Sequence, residues 1–231
     1  MIRLLAFLGN PGPAYAGNRH NAGRLLISSL PFGSSLSWQN KFKGMYAAVD
    51  NRRIISALPS GTEAQAGEAP APDTGSAVPI ARNKAIDMPE KIHFLMPETY
   101  MNNSGESVYQ AASFFKIKLD EILVVHDELE IPLGFLSLKF SGGLGGHNGL
   151  RSMKACFGSA DFWRLRIGIG RPNHDDIFTW VLSDFFPEET ERLYAVLDAG
   201  AALLLQAMTR NPETLLPEWA KKKIVDKKLV D

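Results

Sequence analysis

The stretch from Ile122 to Arg151 constrains this chain most. Ile122-Leu-Val-Val125 is an apolar run short enough for a buried strand, and it stops abruptly at His126-Asp127-Glu128. Open α/β sheets place their chemistry at the carboxyl ends of such strands, so a carboxylate there marks a candidate site. Leu136-Ser-Leu-Lys-Phe140 then alternates like a half-buried strand. Four glycines within Gly142–Gly146 lead into His147-Asn148-Gly149 and a helical pattern. Glycines at this density either form a flexible surface loop or let the backbone pass close to a ligand. The carboxylate before them and the His-Asn pair after them favour a site.

The same combination recurs upstream. Ile2 to Leu8 is an apolar run broken only by Arg3, as in a strand covered on both faces, and Gly9-Asn10-Pro11-Gly12-Pro13 ends it. Asn18-Arg19-His20-Asn21 precedes Ala22, Leu25, Leu26 and Leu30, which fall at helical spacing. His20 therefore stands at a helix start, with its ring either in a loop-built cleft or in water. Lys41–Val49 and Arg53–Ala57 look like two strands meeting at Asp50-Asn51. From Pro59 to Met88 the chain is rich in Ala, Pro, Gly, Thr, Ser and Glu without apolar periodicity. Such a segment buries too little surface to offset its ordering entropy, so it is expected to be a disordered insertion within one domain.

Lys91–Met96 resumes a strand, and Pro97–Gly105 follows as a loop. Asn103 with Glu106 predicts a capping box, and Val108, Ala111, Ala112 and Phe115 give the next helix its apolar face. Met101 and Asn102 thus precede a helix, as His20 and Asn148 do. After Leu150, Met153 and Phe157, a short helix with Cys156 packed beside it, Phe162–Gly170 alternates as a strand carrying Arg164 and Arg166 on one face. Helices are predicted over Ile177–Phe185 and Pro187–Met208, the second with Leu193, Val196, Leu197, Ala201, Leu204 and Leu205 facing inward. A last helix begins at Asn211 and ends in Lys221–Lys223, Lys227 and Lys228, either solvated charge or a contact for a polyanion.

Equal numbers of basic and acidic residues argue against indiscriminate coating of nucleic acid, while leaving room for a local basic face. The single cysteine excludes an internal disulfide and fits a reducing compartment. No stretch approaches the roughly 20 apolar residues of a membrane span, so a cytoplasmic protein without membrane contact is expected. There is no Gly-x-Ser-x-Gly elbow, no His-Glu-x-x-His, and no Gly-Lys-Ser/Thr ending to the glycine run. The five histidines show no metal-ligand spacing. A neutral histidine, a carboxylate and several amides remain, a set able to activate water and hold a peptide-like group without metal or cofactor.

Five blocks in order carry a resemblance: Gly9-Asn-Pro-Gly-Pro-x-Tyr15 with Arg19-His-Asn-Ala-Gly23, Pro97-x-Thr-Tyr-Met-Asn-x-Ser-Gly105, His126-Asp-Glu-Leu129, Gly145-Gly-His-Asn-Gly-Leu150 and Phe162-x-Arg-Leu-Arg-Ile-Gly-Ile-Gly170. Together they resemble the bacterial peptidyl-tRNA hydrolases over most of residues 1–185. The resemblance implies a single α/β domain over residues 1–231, with a twisted mixed central sheet flanked by helices. It also implies a monomer that hydrolyses the ester between peptide and tRNA, needing no cofactor and no metal. His20 matches the family's catalytic histidine and Asp127 the carboxylate that orients it. Asn10, Asn102 and Asn148 match cleft amides, and Met101 a peptide contact. Tyr15, Tyr100 and His147 join them as substrate-binding candidates. Lys139 and Arg166 match the pair that grips the tRNA 5′ phosphate. Leu144 departs from the polar residue, commonly His, that the family carries in the glycine loop, and the 59–88 insertion is not a usual family feature.

Overall fold

The computed structural model describes residues 1–58, 88–173 and 175–225. Apart from Met88, the disorder expected over 59–88 lies outside them, as do Lys227 and Lys228. Eight strands form one mixed sheet: β1 (Leu4–Phe7), β2 (Gln39–Lys41), β3 (Gly44–Asp50), β4 (Lys91–Pro97), β5 (Ile122–Glu128), β6 (Phe135–Phe140), β7 (Trp163–Gly168) and β8 (Lys222–Lys223), in the order β2-β3-β4-β1-β5-β7-β6-β8. The four central strands, β4-β1-β5-β7, run parallel, and antiparallel pairs close both sides. The carboxyl ends of β1, β4 and β5 therefore emerge together, where a sheet of this kind leaves room for a ligand.

The apolar runs are buried on both faces because each alternate residue faces a different helical layer. Leu5 and Phe7 of β1, with Leu123 and Val125 of β5, join a core covered by α1 (Ala22–Leu25), α2 (Asn51–Ser56) and α6 (Thr190–Thr209). Leu4, Ala6, Ile122 and Val124 face the opposite layer, built on α3 (Ser104–Phe115) and α4 (Asn148–Phe157). All six inward residues expected on α6 are buried. Leu26, fully buried against α6, contributes about 1.5–3 kcal/mol by leaving water, and Leu26→Ala would cost about 2–5 kcal/mol through the cavity left behind.

Two glycines bring the layers close enough to build a site. A Cβ on Gly23 would lie 2.5 Å from the Val125 carbonyl oxygen, so only glycine lets α1 rest on β5. A Cβ on Gly105 would lie 2.3 Å from the Ser152 carbonyl oxygen, where α3 crosses α4 and Gly105 N–H donates to Ser152 Oγ at 2.9 Å.

Four local expectations are corrected. Residues 53–57 do not pair as a strand, because β3 already has β4 on one side and β2 on the other. They wind instead into α2 with Ile54 buried. Asn103 forms no side-chain cap; Glu106 pairs with Lys43 instead, and the turn before α3 is the 3-10 segment Met101–Asn103. The last helix is reduced to the 3-10 turn Pro212–Leu215 and α7 (Leu216–Trp219), after which Lys222 and Lys223 add an edge strand to β6. The helix predicted from Ile177 is shorter as well, α5 (Ile177–Leu182). No helix among the described residues is long and apolar enough to cross a membrane.

Candidate active site

A cleft of about 750 Å³ opens where β1, β4 and β5 end. It is lined by His20, Asp127, Asn10, Tyr15, Tyr100, Met101, Asn102, His147 and Asn148, nine positions singled out in the sequence. Asp127 reaches it from the end of β5, and the others from the turns that follow β1 and β4 or lead into α4.

Asp127, near the end of β5, is 2 % exposed. Its carboxylate takes two imidazoles at once. His20 Nδ1 lies 2.9 and 3.0 Å from the two oxygens, and His147 Nε2 lies 3.0 Å from Oδ1. His147 is the N-cap of α4, its Nδ1 accepting Gly149 N–H at 3.1 Å and Leu150 N–H at 3.4 Å. An accepting Nδ1 puts the proton on Nε2, so His147 donates to Asp127. Burial alone would raise the Asp127 pKa, but the charges and hydrogen bonds of the two histidines outweigh it and hold the carboxyl well below the usual range. For His20, burial works against charging, yet the Asp127 charge and hydrogen bond win, and its pKa is raised above 6.5. His126 has its Nδ1 2.6 Å from the Asp127 carbonyl oxygen. Burial first, then His147, pushes its pKa well down.

The amide side of the cleft is braced from behind. Asn21 accepts the Asn10 N–H at 2.8 Å and donates to the Asn10 carbonyl at 3.0 Å, fixing that backbone from both sides. Asn10 Oδ1 in turn accepts the Met101 N–H at 2.9 Å. An amide whose oxygen is engaged has its NH₂ left to donate. Tyr100 holds φ 56° and ψ 161°, a region almost reserved for glycine, and strain of this kind costs about 1–3 kcal/mol. Its place on the cleft, next to Met101, is where such strain gathers.

Lys139 and Arg166 lie outside the cleft, on neighbouring strands β6 and β7. Arg166 is already engaged: Nε and NH2 contact Glu128 at 3.0 and 2.9 Å, and NH1 contacts Ser137 Oγ at 3.3 Å. Arg164 holds the glycine loop, donating to the carbonyls of Gly143 at 2.6 Å and Gly142 at 2.8 Å. Leu144 leaves that loop to pack on the α3/α4 core. Half-buried Cys156 has its thiol pKa raised, by burial first and then by Glu106, which fits a packed residue.

Sequence spacing hid two features. One ligand atom each from His20, Asp127 and His147 lie within 4.8 Å of one another, a set able to hold a metal ion although the three are scattered over the chain. The distances of 2.9–3.0 Å from the two histidine nitrogens to the carboxylate are also those of N–H···O bonds. The second is an apolar wall, Ile177, Phe178, Val181 and Leu182 of α5 with Leu129, opposite no motif that could have announced it. Arg151 and Arg171 add charge to the lining, Arg171 being paired with Glu130.

Comparison with known proteins points to one family. The family model described as peptidyl-tRNA hydrolase matches residues 4–72 and 64–227. The chain is 40% identical over 229 residues to the peptidyl-tRNA hydrolase of Treponema pallidum (strain Nichols), covering 97% of each protein. It is 36% identical over 202 residues to that of Geobacter sp. (strain M21), covering 87% of this chain and 89% of the relative. The crystal structure of peptidyl-tRNA hydrolase from Acinetobacter baumannii superposes with a TM-score of 0.69 at 29% identity, covering 94% of this chain and 91% of that one.

Proposed function

The chain belongs to the peptidyl-tRNA hydrolase family, and from that membership we propose that it frees tRNA from peptidyl-tRNA with His20 as general base and Asp127 as its orienting carboxylate. The observation that carries this assignment is the pair of contacts, 2.9 and 3.0 Å, between His20 Nδ1 and the buried Asp127 carboxylate at the cleft. A carboxylate that accepts the Nδ1–H hydrogen bond keeps the proton on that nitrogen and leaves Nε2 with its lone pair. Nε2 removes a proton from water as the water oxygen attacks the ester carbonyl carbon. The imidazolium formed is stabilised by Asp127. It returns the proton to the 3′ oxygen of the ribose as the carbon–oxygen bond breaks, giving a free peptide acid and free tRNA.

The other lining residues fit the same substrate. Asn10, Asn102 and Asn148 offer amide hydrogen bonds to a peptide backbone without reading side chains, and Met101, Tyr15 and Tyr100 offer contact surface. Asn10 Nδ2 is the donor we assign to the ester carbonyl, where negative charge develops. Lys139 and Arg166 form the tRNA contact, with Arg166 sharing its guanidinium between Glu128 and a phosphate. We take residues 1–231 to act as one domain and one monomer, in the cytoplasm. None of these steps requires a metal ion or cofactor.

The test is release of tRNA from an N-blocked aminoacyl-tRNA in the presence of a chelator. The parent should turn over unchanged by the chelator, and His20→Ala should lower kcat by roughly 10²–10⁴ while substrate still binds. Full activity in His20→Ala would remove the base, and loss of parental activity on chelation would transfer the His-Asp-His set to a metal.

A further inference from the structure

Arginine is almost never fully buried unless paired, yet Arg19, the neighbour of His20, is 0% exposed. Its guanidinium is fully committed to one segment. NH1 donates to Glu189 Oε1 at 3.2 Å, NH2 to Glu189 Oε2, and Nε to Ser183 Oγ at 3.3 Å. The planar group stacks on Trp180 with 3.8 Å to the ring centroid, and it lies 4.8 and 5.1 Å from the rings of Phe185 and Phe186. The backbone repeats the attachment: Arg19 N–H donates to the Ser183 carbonyl at 2.9 Å. Asn18 forms a bridge to Asp184 and bonds its carboxylate at 2.8 Å. Every one of these partners lies between Trp180 and Glu189.

That segment contains, or directly follows, the four α5 residues of the apolar wall. On the other side, Arg19 opens the 3-10 turn Arg19–Asn21 from which His20 reaches Asp127 and Asn21 braces Asn10. One side chain thus joins the wall of the cleft to the turn that supplies its base. Local capping could have been achieved by Glu189 alone, which also accepts the Phe186 N–H at 2.8 Å. Planarity and bidentate pairing define the angle between the two pieces, as a lysine could not.

We propose that Arg19 is a positioning residue for hydrolysis: its guanidinium pins the α5 wall to the histidine turn, so that wall and base are held as one unit. This rests on His20 being the base. Misplacing a reacting group by about 1 Å can cost roughly 100-fold in rate without any change in chemistry. The variants to measure are Arg19→Lys, which keeps the charge but loses the fork and the flat stacking face, and Glu189→Gln, which keeps the shape. In folded protein both should lower kcat by roughly 10- to 100-fold with a smaller change in KM. Amide hydrogen exchange over residues 177–186 should quicken. The His20 ring, followed by NMR, should titrate at lower pH than in the parent as its contact with Asp127 loosens. Parental kcat and parental His20 titration in a folded Arg19→Lys protein would reduce Arg19 to a staple of the fold, and so would failure of both variants to fold. If His20→Ala proved active, the base assignment would fall, while the exchange and titration measurements would still decide whether Arg19 couples wall and turn.

Discussion

Replacing Asp127 by asparagine should do more than remove a charge, because two imidazoles compete for what remains. Asparagine presents one accepting oxygen and one NH₂ donor where the carboxylate accepted from both rings. His147 cannot adapt: its Nδ1 accepts Gly149 N–H at 3.1 Å, so its Nε2 must keep the proton and needs the oxygen. The NH₂ then takes the place of Oδ2, 3.0 Å from His20 Nδ1, and donates to it; an Nδ1–H kept on the shared Oδ1, 2.9 Å away, would face that NH₂ donor to donor. The His20 proton moves to Nε2, the atom that has to accept a proton from water. The opposite orientation leaves two donors facing each other in a buried site, at a cost of about 1–3 kcal/mol. At 1.4 kcal/mol per tenfold, the competent tautomer falls by a factor of about 5–150. Losing the charge that stabilises the imidazolium removes about 1.5–3 kcal/mol more. The two together lower kcat by roughly 10²–10⁴, with little effect on KM.

The competition makes an unusual double variant informative. Asp127→Asn combined with His147→Ala removes the claim of His147 on the shared Oδ1, leaves that oxygen to His20 alone and should run faster than Asp127→Asn, by up to the tautomer factor of about 5–150. His147→Ala also removes the α4 cap, which should lower stability by about 1 kcal/mol in either background. Kinetics of tRNA release would be measured beside the ¹⁵N shifts of the His20 ring, which report its tautomer. In Asp127→Asn the ring should also titrate at lower pH, since Asp127 is what raises it, and the rising limb of kcat/KM should move with it. A double variant no faster than the single one, or an unprotonated Nε2 in Asp127→Asn, would refute the tautomer argument.

Removing Lys139 should raise KM for full-length peptidyl-tRNA far more than for a 3′ fragment lacking the 5′ phosphate, by a charge-assisted contact of about 1.5–3 kcal/mol. Arg166→Gln should show the same selectivity plus a loss of stability of about 1–3 kcal/mol, because Glu128, 8% exposed, loses its partner; equal kinetic losses on both substrates would return the pair to a role in the fold. Deleting residues 61–87 and closing the gap with a short turn should leave activity intact and change stability by only about 1 kcal/mol. The flanking Leu58 and Met88 stay packed on the core in that deletion, and a loss of folded protein would show that the segment does more than connect them.

What could be read from the sequence was what one local stretch decides. Apolar runs ended by polar turns placed β1, β4 and β5 correctly, because burial on both faces leaves a continuous pattern. The turns after them contained the cleft residues, since strand ends are where a parallel sheet gathers polar groups. Ile54 and Ile55 misled because their β-branched side chains suit a strand, whereas both sides of β3, the strand beside them in sequence, are taken by β2 and β4. Contacts across more than 100 residues were beyond local pattern altogether. Nothing around Arg19 announces Glu189, 170 residues away, and the two-sided use of Asp127 follows from His147 being a helix cap rather than from any spacing.

Three histidines surround Asp127, and their nitrogens are committed differently among the described residues. His126 gives its Nδ1 proton to the Asp127 carbonyl, and its Nε2 is buried without a partner among the described residues. A proton added there would find no acceptor in a low-dielectric interior, which is why its pKa is pushed well down. His147 spends Nδ1 on the α4 backbone and Nε2 on the carboxylate, so neither nitrogen keeps a free lone pair. Of the three, His20 lines the cleft with one nitrogen on Asp127 and the other without a hydrogen-bond partner among the described residues. The carboxylate accordingly has two duties. It raises the basicity of His20, and by accepting from His147 it ties α4, with Asn148 at its first turn, to the end of β5. Replacing His147 therefore perturbs the amide wall as well as the base.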